Sequence, residues 1–370
     1  MNTSKRLVSI DLLRGLTVML MIFVNNGAGD HIYATLQHSK WNGMTLADVV
    51  FPSFLFIMGM STYLSLRKFD FHWSKVVARK VFKRTVLLFL IGLGLNWLDM
   101  IFDGRPLDFA HLRIWGVMQR LGICYLLTAV LALSIHRPVN KRGIDVGFVS
   151  IIIVGLVAYS AILLLGHGYD YNAQTNVLAR VDNGLFGWNH LYHKSPVDPE
   201  GLVSTLSATL HCMIGFVVME ALAALSKEMQ KMKFCLMLAF AFLVVGCILS
   251  QWLPLNKRVW STSYVFMSIG CVLALLGLLI YFVDMHGDAS ATKRYPLLKS
   301  FGMNPLALYV GSEVLSIVFG ALGIKDGAFH LINSVVTNAS WAGFNYAFFF
   351  TAIFAVMGLV MYRKRIFIKL

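Results

Sequence analysis

His38 stands in the stretch His38-Ser39-Lys40-Trp41-Asn42-Gly43, between two long apolar runs. An imidazole is the side chain best suited to take a proton from an amine or hydroxyl at neutral pH. Asp48 follows ten residues later, where the second run opens. It could orient that ring or hold a substrate ammonium; a helix-start charge stabilised by the dipole is the plain alternative. Pro52 lies just inside the same run, where proline is tolerated. Asn25 closes the first run, either as a helix cap or as an amide turned toward the same place. Trp41 and Asn42 strengthen the group as candidate substrate contacts.

The first run carries its own charges. Asp11 and Arg14, in Ser9-Ile10-Asp11-Leu12-Leu13-Arg14-Gly15, share one helical face and can pair. A charge inside a bilayer costs roughly a few kcal/mol unless it is paired or used. Two readings stand: an ion pair that locks this helix to a neighbour, or an anion site built on the planar fork of Arg14. Arg84 either joins that site or is an ordinary basic anchor. Arg120, in Gln119-Arg120-Leu121-Gly122, is a second intramembrane guanidinium, which pairs with an acid such as Glu313 or faces a ligand. From Asp11 to Asn25 the helix rises about 21 Å. A long, extended cofactor arm bridges a comparable distance.

Further along, Asn189-His190-Leu191-Tyr192-His193 and Asp198-Pro199-Glu200-Gly201 concentrate polar and aromatic groups in one long loop. The two acids either cap the next helix or receive an amino sugar. His190 and His193 have no third ligand close in sequence, so no metal is expected. Trp260, in Asn256-Lys257-Arg258-Val259-Trp260-Ser261, is an interfacial anchor or a sugar platform. Gly302-Met303-Asn304-Pro305 is a plain helix start or a place where free backbone groups meet a ligand.

These residues sit in a chain of 370, with 58% hydrophobic and 14% charged residues and a mean hydropathy of +0.69. Repeated apolar runs of about 20 residues make it an all-α, polytopic membrane protein. No stretch reads as a cleavable signal peptide, because the run after Met1–Arg6 continues as a full span. The five cysteines lack disulfide or zinc spacing and read as small packed hydrophobes. Ten spans are expected, at 8–26, 47–66, 83–99, 115–135, 144–166, 201–224, 234–252, 260–284, 301–320 and 341–361. With the N-terminus inside, 22 of the 32 Lys and Arg fall in cytoplasmic segments and eight outside. That bias predicts both termini cytoplasmic and puts His38 and the 167–200 loop on the opposite face. The net charge of +14 is thus explained by topology, and nucleic acid is excluded as a partner. No internal repeat or linker appears, so one domain over 1–370 is expected.

The pattern resembles the heparan-alpha-glucosaminide N-acetyltransferase family of transmembrane acyltransferases. The resemblance rests on SIDLLRG (9–15), the span ending Val24-Asn25, HSKWNGMTLADVVFPSFLFIMG (38–59) and MQRLG (118–122). It continues through HLYH (190–193), DPEG (198–201), NKRVWSTSYV (256–265) and GMNPLALYVGSEV (302–314). Ser312 stands where the family pattern would have histidine. The resemblance implies that acetyl-CoA enters from the cytoplasm and that its acetyl group reaches a terminal glucosamine of a heparan-type glycan on the far face. His38 matches the family's active-site histidine and Asn25 a nearby asparagine. A short homologue without the lumenal N-terminal domain, in a bacterial plasma membrane, is the expectation.

The expected site is therefore His38 and Asn25 for catalysis, and Ser9, Asp11, Arg14, Arg84 and Asn304 for the nucleotide end of CoA. Trp41, Asn42, Asp48, Gln119, Arg120, His190, Asp198, Glu200 and Trp260 are assigned to the acceptor. Direct transfer assisted by His38 and a covalent acetyl-His38 intermediate both remain open. So do two other functions, O-acetylation of an envelope glycan and transport of an anionic small molecule. Expected partners are the glycan or amino-sugar acceptor, membrane lipid and, among assemblies, a homodimer.

Overall fold

In lipid a backbone has only itself to hydrogen-bond, and this chain meets that demand with helices. The computed structural model describes residues 7–29, 33–137, 144–286 and 294–368. Lys5, Arg6, Lys141, Arg142, Lys293 and Lys369, all part of the charge-bias argument, lie outside the described residues. Within them the chain forms thirteen α-helices and no strand. These are α1 (Val8–Asn25), α2 (Leu46–Leu66), α3 (Lys75–Phe102), α4 (Val117–Ser134), α5 (Val146–Leu165), α6 (Val177–Phe186) and α7 (Leu202–Ala224). There follow α8 (Glu228–Leu249), α9 (Thr262–Leu279), α10 (Pro296–Met303), α11 (Pro305–Ala321), α12 (Ile324–Val336) and α13 (Ala339–Arg363).

Among the described residues, nine helices are long and apolar enough to cross a membrane, and α10 with α11 makes a tenth if that pair is one span. The expected straight span at 301–320 is corrected. Its two pieces are bent by 85° at Asn304. Pro305 has no N–H and disfavours helical dihedrals in the residue before it, and Asn304 accordingly sits at φ −125 and ψ 45. Two helices fall outside the ten expected spans. Both α6, of 10 residues, and α12, of 13, are too short to cross a bilayer core of about 30 Å.

The helices meet where small residues allow it. A Cβ on Gly59 would overlap the Cys212 carbonyl, and one on Gly215 would overlap that of Phe56. Both glycines therefore let α2 and α7 touch backbone to backbone, the usual basis of close packing in membranes. Together α2 and α7 form the most deeply enclosed pair. The start of α1 is finished from a distance: its first amides, on Val8 and Ser9, donate to Asp284 at 2.9 and 3.3 Å. Asp284 belongs to a π-helical turn, Ile280–Met285, that continues α9 and so satisfies donors that α1 cannot.

Asn304 performs a related task at the α10–α11 bend. Its amide donates to the Ile366 carbonyl at 2.9 Å and accepts from the Ile368 N–H at 2.9 Å. Gly302 beside it packs on the Asp11 backbone of α1. Both α1 and the C-terminal segment of the described chain therefore pack at this bend.

Candidate active site

Asp48 is the fixed point of the site. Its Oδ2 accepts from the backbone N–H groups of Ser39 and Thr45 at 3.0 and 3.2 Å, and from Thr45 Oγ1 at 3.1 Å. With Thr45 it forms a capping box that starts α2. Pro52 removes the N–H that would reach the Asp48 carbonyl one turn back, and Tyr264 Oη of α9 donates to that oxygen instead, at 2.6 Å. Asp48 thus stands at the start of α2 and beside the His38 ring at once. Its remaining Oδ1 lies 2.9 Å from His38 Nδ1, with Asp48 fully buried and 44% of the His38 side chain exposed. A proton on Nδ1 donated to this carboxylate leaves the lone pair on Nε2.

His38, Asn25, Asp48, Glu200 and Tyr309 line a chamber of about 180 Å³, together with Lys257 and Arg258. A second chamber of about 290 Å³ adjoins it, sharing Val117, Glu200 and Tyr309 and adding Gln119, Asp99 and Glu313. Asn25 Nδ2 lies 3.4 Å from Glu313 Oε1. That is a long bond, one the amide can exchange for a better acceptor.

The loop that carries His38 is held by three tethers. Trp41 Nε1 donates to the Tyr169 carbonyl at 2.8 Å, Asn42 Oδ1 accepts from Asn256 Nδ2 at 3.1 Å, and the Gly43 N–H donates to the Leu255 carbonyl at 2.7 Å. The polar atoms of Trp41 and Asn42 thus position the loop rather than line either chamber. Asp198 is likewise engaged, because Arg113 forks onto it at 2.7 and 3.2 Å while the N–H groups of Tyr192 and Glu200 donate to it at 2.9 Å each. Arg113 also donates to Glu200 Oε2 at 2.7 Å. Burial alone would push the Glu200 carboxyl up; Arg113 and Arg120 hold it below the usual carboxylate range.

Arg120 does not meet Glu313. It is fully buried, bonded to Thr205 Oγ1 at 3.2 Å and to the Ser204 hydroxyl, and stacked 4.9 Å from the Trp260 ring. Trp260 is buried beneath it, packed on Phe51 of the first chamber's wall and lining neither chamber itself. His190 Nδ1 is bound to the Leu112 carbonyl at 2.7 Å. Of the nine expected acceptor residues, Asp48, Gln119 and Glu200 reach the chambers; the rest support them.

At the other end of α1 lies a cavity of about 440 Å³ lined by Asp11, Arg14, Ser61, Arg67, Lys68 and Lys231. Arg14 pairs with Asp11 at 3.1 Å and donates to Ser61 Oγ at 2.8 Å. Apolar walls from Ile10, Leu64, Met219 and Leu222 complete it. Four cations against one acid give this cavity a net positive lining beside apolar walls. Ser9, Arg84 and Asn304 lie elsewhere: Ser9 is buried at the cap of α1, Arg84 stacks 4.5 Å over Tyr125, and Asn304 holds the chain's end. The described residues hold no group of three His, Cys, Asp or Glu placed for a metal ion.

Lys257, Arg258 and Tyr309 are chamber residues that sequence reasoning missed, as are Arg67, Lys68 and Lys231 at the opposite cavity. Lys257, Arg258 and Tyr309 do fall inside the quoted stretches 256–265 and 302–314, the one signal that could have found them.

Comparison with known proteins shows what the chain is similar to. Residues 6–175 match the family model of the heparan-alpha-glucosaminide N-acetyltransferase catalytic region. The chain is 30% identical to heparan-alpha-glucosaminide N-acetyltransferase of Homo sapiens, over 99% of its own length and 60% of the relative. It is 29% identical to the Mus musculus protein of the same name, over 100% of its length and 61% of the relative. The chain thus spans about 60% of the length of the curated relatives it matches. The family model runs through Asn25, His38 and Asp48, and by these matches the chain is similar to the heparan-alpha-glucosaminide N-acetyltransferase family.

Proposed function

We propose that this protein is a membrane-embedded acetyltransferase that moves acetyl from acetyl-CoA, bound on the cytoplasmic face, to the amine of a terminal glucosamine on the opposite face. One observation carries the reading. A buried carboxylate orients an imidazole at one end of α1, and a cavity rich in cations lies at the other end. The eleven residues from Arg14 to Asn25 rise about 16 Å, a span suited to an extended thioester arm. The bias of basic residues toward the Arg14 face supports a cytoplasmic donor.

In this reading His38 Nε2 takes a proton from the acceptor ammonium, and the freed amine attacks the thioester carbonyl. Asn25 Nδ2 donates to the oxyanion that forms. His38, having passed that first proton to solvent, takes the second from the attacking nitrogen as the carbon–sulfur bond breaks and gives it to the CoA thiolate, so that amide and thiol leave with one proton released overall. Asp48 holds the ring and its tautomer throughout. Arg14, Arg67, Lys68 and Lys231 would hold the phosphates.

The test is incorporation of labelled acetyl from acetyl-CoA into glucosamine by purified protein, with hydroxyl acceptors in the same panel. His38→Ala is expected to abolish transfer and to leave CoA affinity unchanged by calorimetry. Uptake of an anion into vesicles without acetyl transfer would support the transport reading. Loss of CoA binding in His38→Ala would make the histidine structural.

A further inference from the structure

Lys257 is a residue that the mechanism above does not use. It lies on the turn between α8 and α9, and its side chain is 14% exposed. Its Nζ is 3.1 Å from His38 Nδ1 and 3.4 Å from Asp48 Oδ1. The turn is built to put it there. Asn256 Oδ1 accepts from the N–H groups of Arg258 and Val259 at 2.9 and 3.2 Å, and Asn256 Nδ2 ties the turn to Asn42 in the His38 loop. Trp260 closes the turn in the left-handed region, at φ 49 and fully buried, a conformation costly for a large side chain and held by its surroundings.

The Asp48 side explains why a cation is needed. Oδ2 already takes three donors, so Oδ1 alone faces the ring and the ammonium. A buried carboxylate with no counter-charge would favour the imidazolium, which cannot act as a base. An ammonium on the same atom opposes that pull. In the resting protein it also offers the ring a second hydrogen-bonded arrangement, with Lys257 donating to Nδ1 and the proton on Nε2, so that ammonium and carboxylate compete for the same ring nitrogen. Burial lowers the proton affinity of Lys257 itself, while Asp48 and Glu200 raise it.

We propose that Lys257 is a positioning residue for His38, its ammonium and the Asp48 carboxylate bracketing Nδ1 so that the pair, and not Asp48 alone, sets the ring's orientation and charge. The inference rests on the transferase reading for its purpose but not for its measurement. The other charged or titratable groups of the chamber are Arg258, Glu200, Tyr192 and Tyr309, and none of them is altered in the test.

The experiment follows the ring directly. The full-length protein is labelled with ring-15N histidine in detergent micelles, and the His38 signal is assigned by its loss in His38→Gln. Its titration is then compared in the unaltered protein, Lys257→Met, Lys257→Gln and Lys257→Arg. Without the ammonium the His38 midpoint is expected to rise by about one pH unit, and Lys257→Arg should keep the original midpoint. The acid limb of kcat/KM for acetyl transfer should move by the same amount. An unmoved midpoint in folded Lys257→Met and Lys257→Gln overturns the inference. A moved midpoint in a protein without acetyl transfer leaves the inference standing and removes the transferase reading instead.

Discussion

At the scale of single residues, the site separates groups that could touch reacting atoms from groups that hold them. Asn25 belongs to the first kind. Its amide lines the chamber and rests 3.4 Å from Glu313 Oε1, so turning to an oxyanion sacrifices little. Asn25→Ala is expected to lower kcat by about 10²–10³ with both KM values within twofold, measured by steady-state kinetics. A change confined to KM would instead make Asn25 a binding residue. Lys257 and Arg258 beside it add positive charge to the chamber wall, which disfavours an acceptor that arrives as an ammonium and stays one.

At the scale of elements, α6 shows how a short helix serves a long one. Its Asp182 Oδ1 accepts from the Val203 N–H at 3.4 Å at the start of α7, and Gly201 packs against the same carboxyl. Burial pushes the Asp182 carboxyl up from 3.8 to about 7. A raised carboxyl makes the folded state prefer the proton. Its stabilising share is therefore complete below pH 3.8 and is lost as pH rises through about 7. Glu200, held low by Arg113, contributes with the opposite sign, so the difference between the unaltered protein and Asp182→Asn isolates the effect. The variant's melting temperature in detergent should fall less between pH 4 and pH 8; parallel curves would refute the assignment. Some of this was legible in the chain. Asp11 and Arg14 share a face by local spacing, and hydropathy gives the spans because lipid demands long apolar runs. The 85° bend was half legible: Pro305 does start a helix, but nothing local announces that α10 ends just before it. Lys257 meets His38 across 219 residues, and Arg113 meets Asp198 across 85. No periodicity encodes such pairs, so Trp41, Asn42 and Asp198 looked like free ligands when their polar atoms already had partners.

At the scale of the whole molecule, the decisive feature is that two polar cavities lie at opposite ends of α1, one of about 440 Å³ beside Arg14 and one of about 180 Å³ beside His38. If one donor occupies both, its anionic end and its reacting end are recognised by different residues, and the two contributions can be separated. Lys231, buried on α8, lies at the first cavity and far along the molecule from His38. Lys231→Met is expected to reduce kcat/KM for acetyl-CoA by about 10- to 100-fold, the worth of a charge-assisted contact. It should leave an acetyl thioester of N-acetylcysteamine, which has no phosphates, unaffected. His38→Ala should abolish transfer from both donors alike. Remote binding energy of this kind is expected to act on the chemical step, so the short thioester should lose kcat as well as affinity relative to acetyl-CoA. Steady-state kinetics with the two donors and the two variants gives four ratios. An equal loss in Lys231→Met for both donors would mean that the cavity beside Arg14 supports the fold and holds no part of the donor.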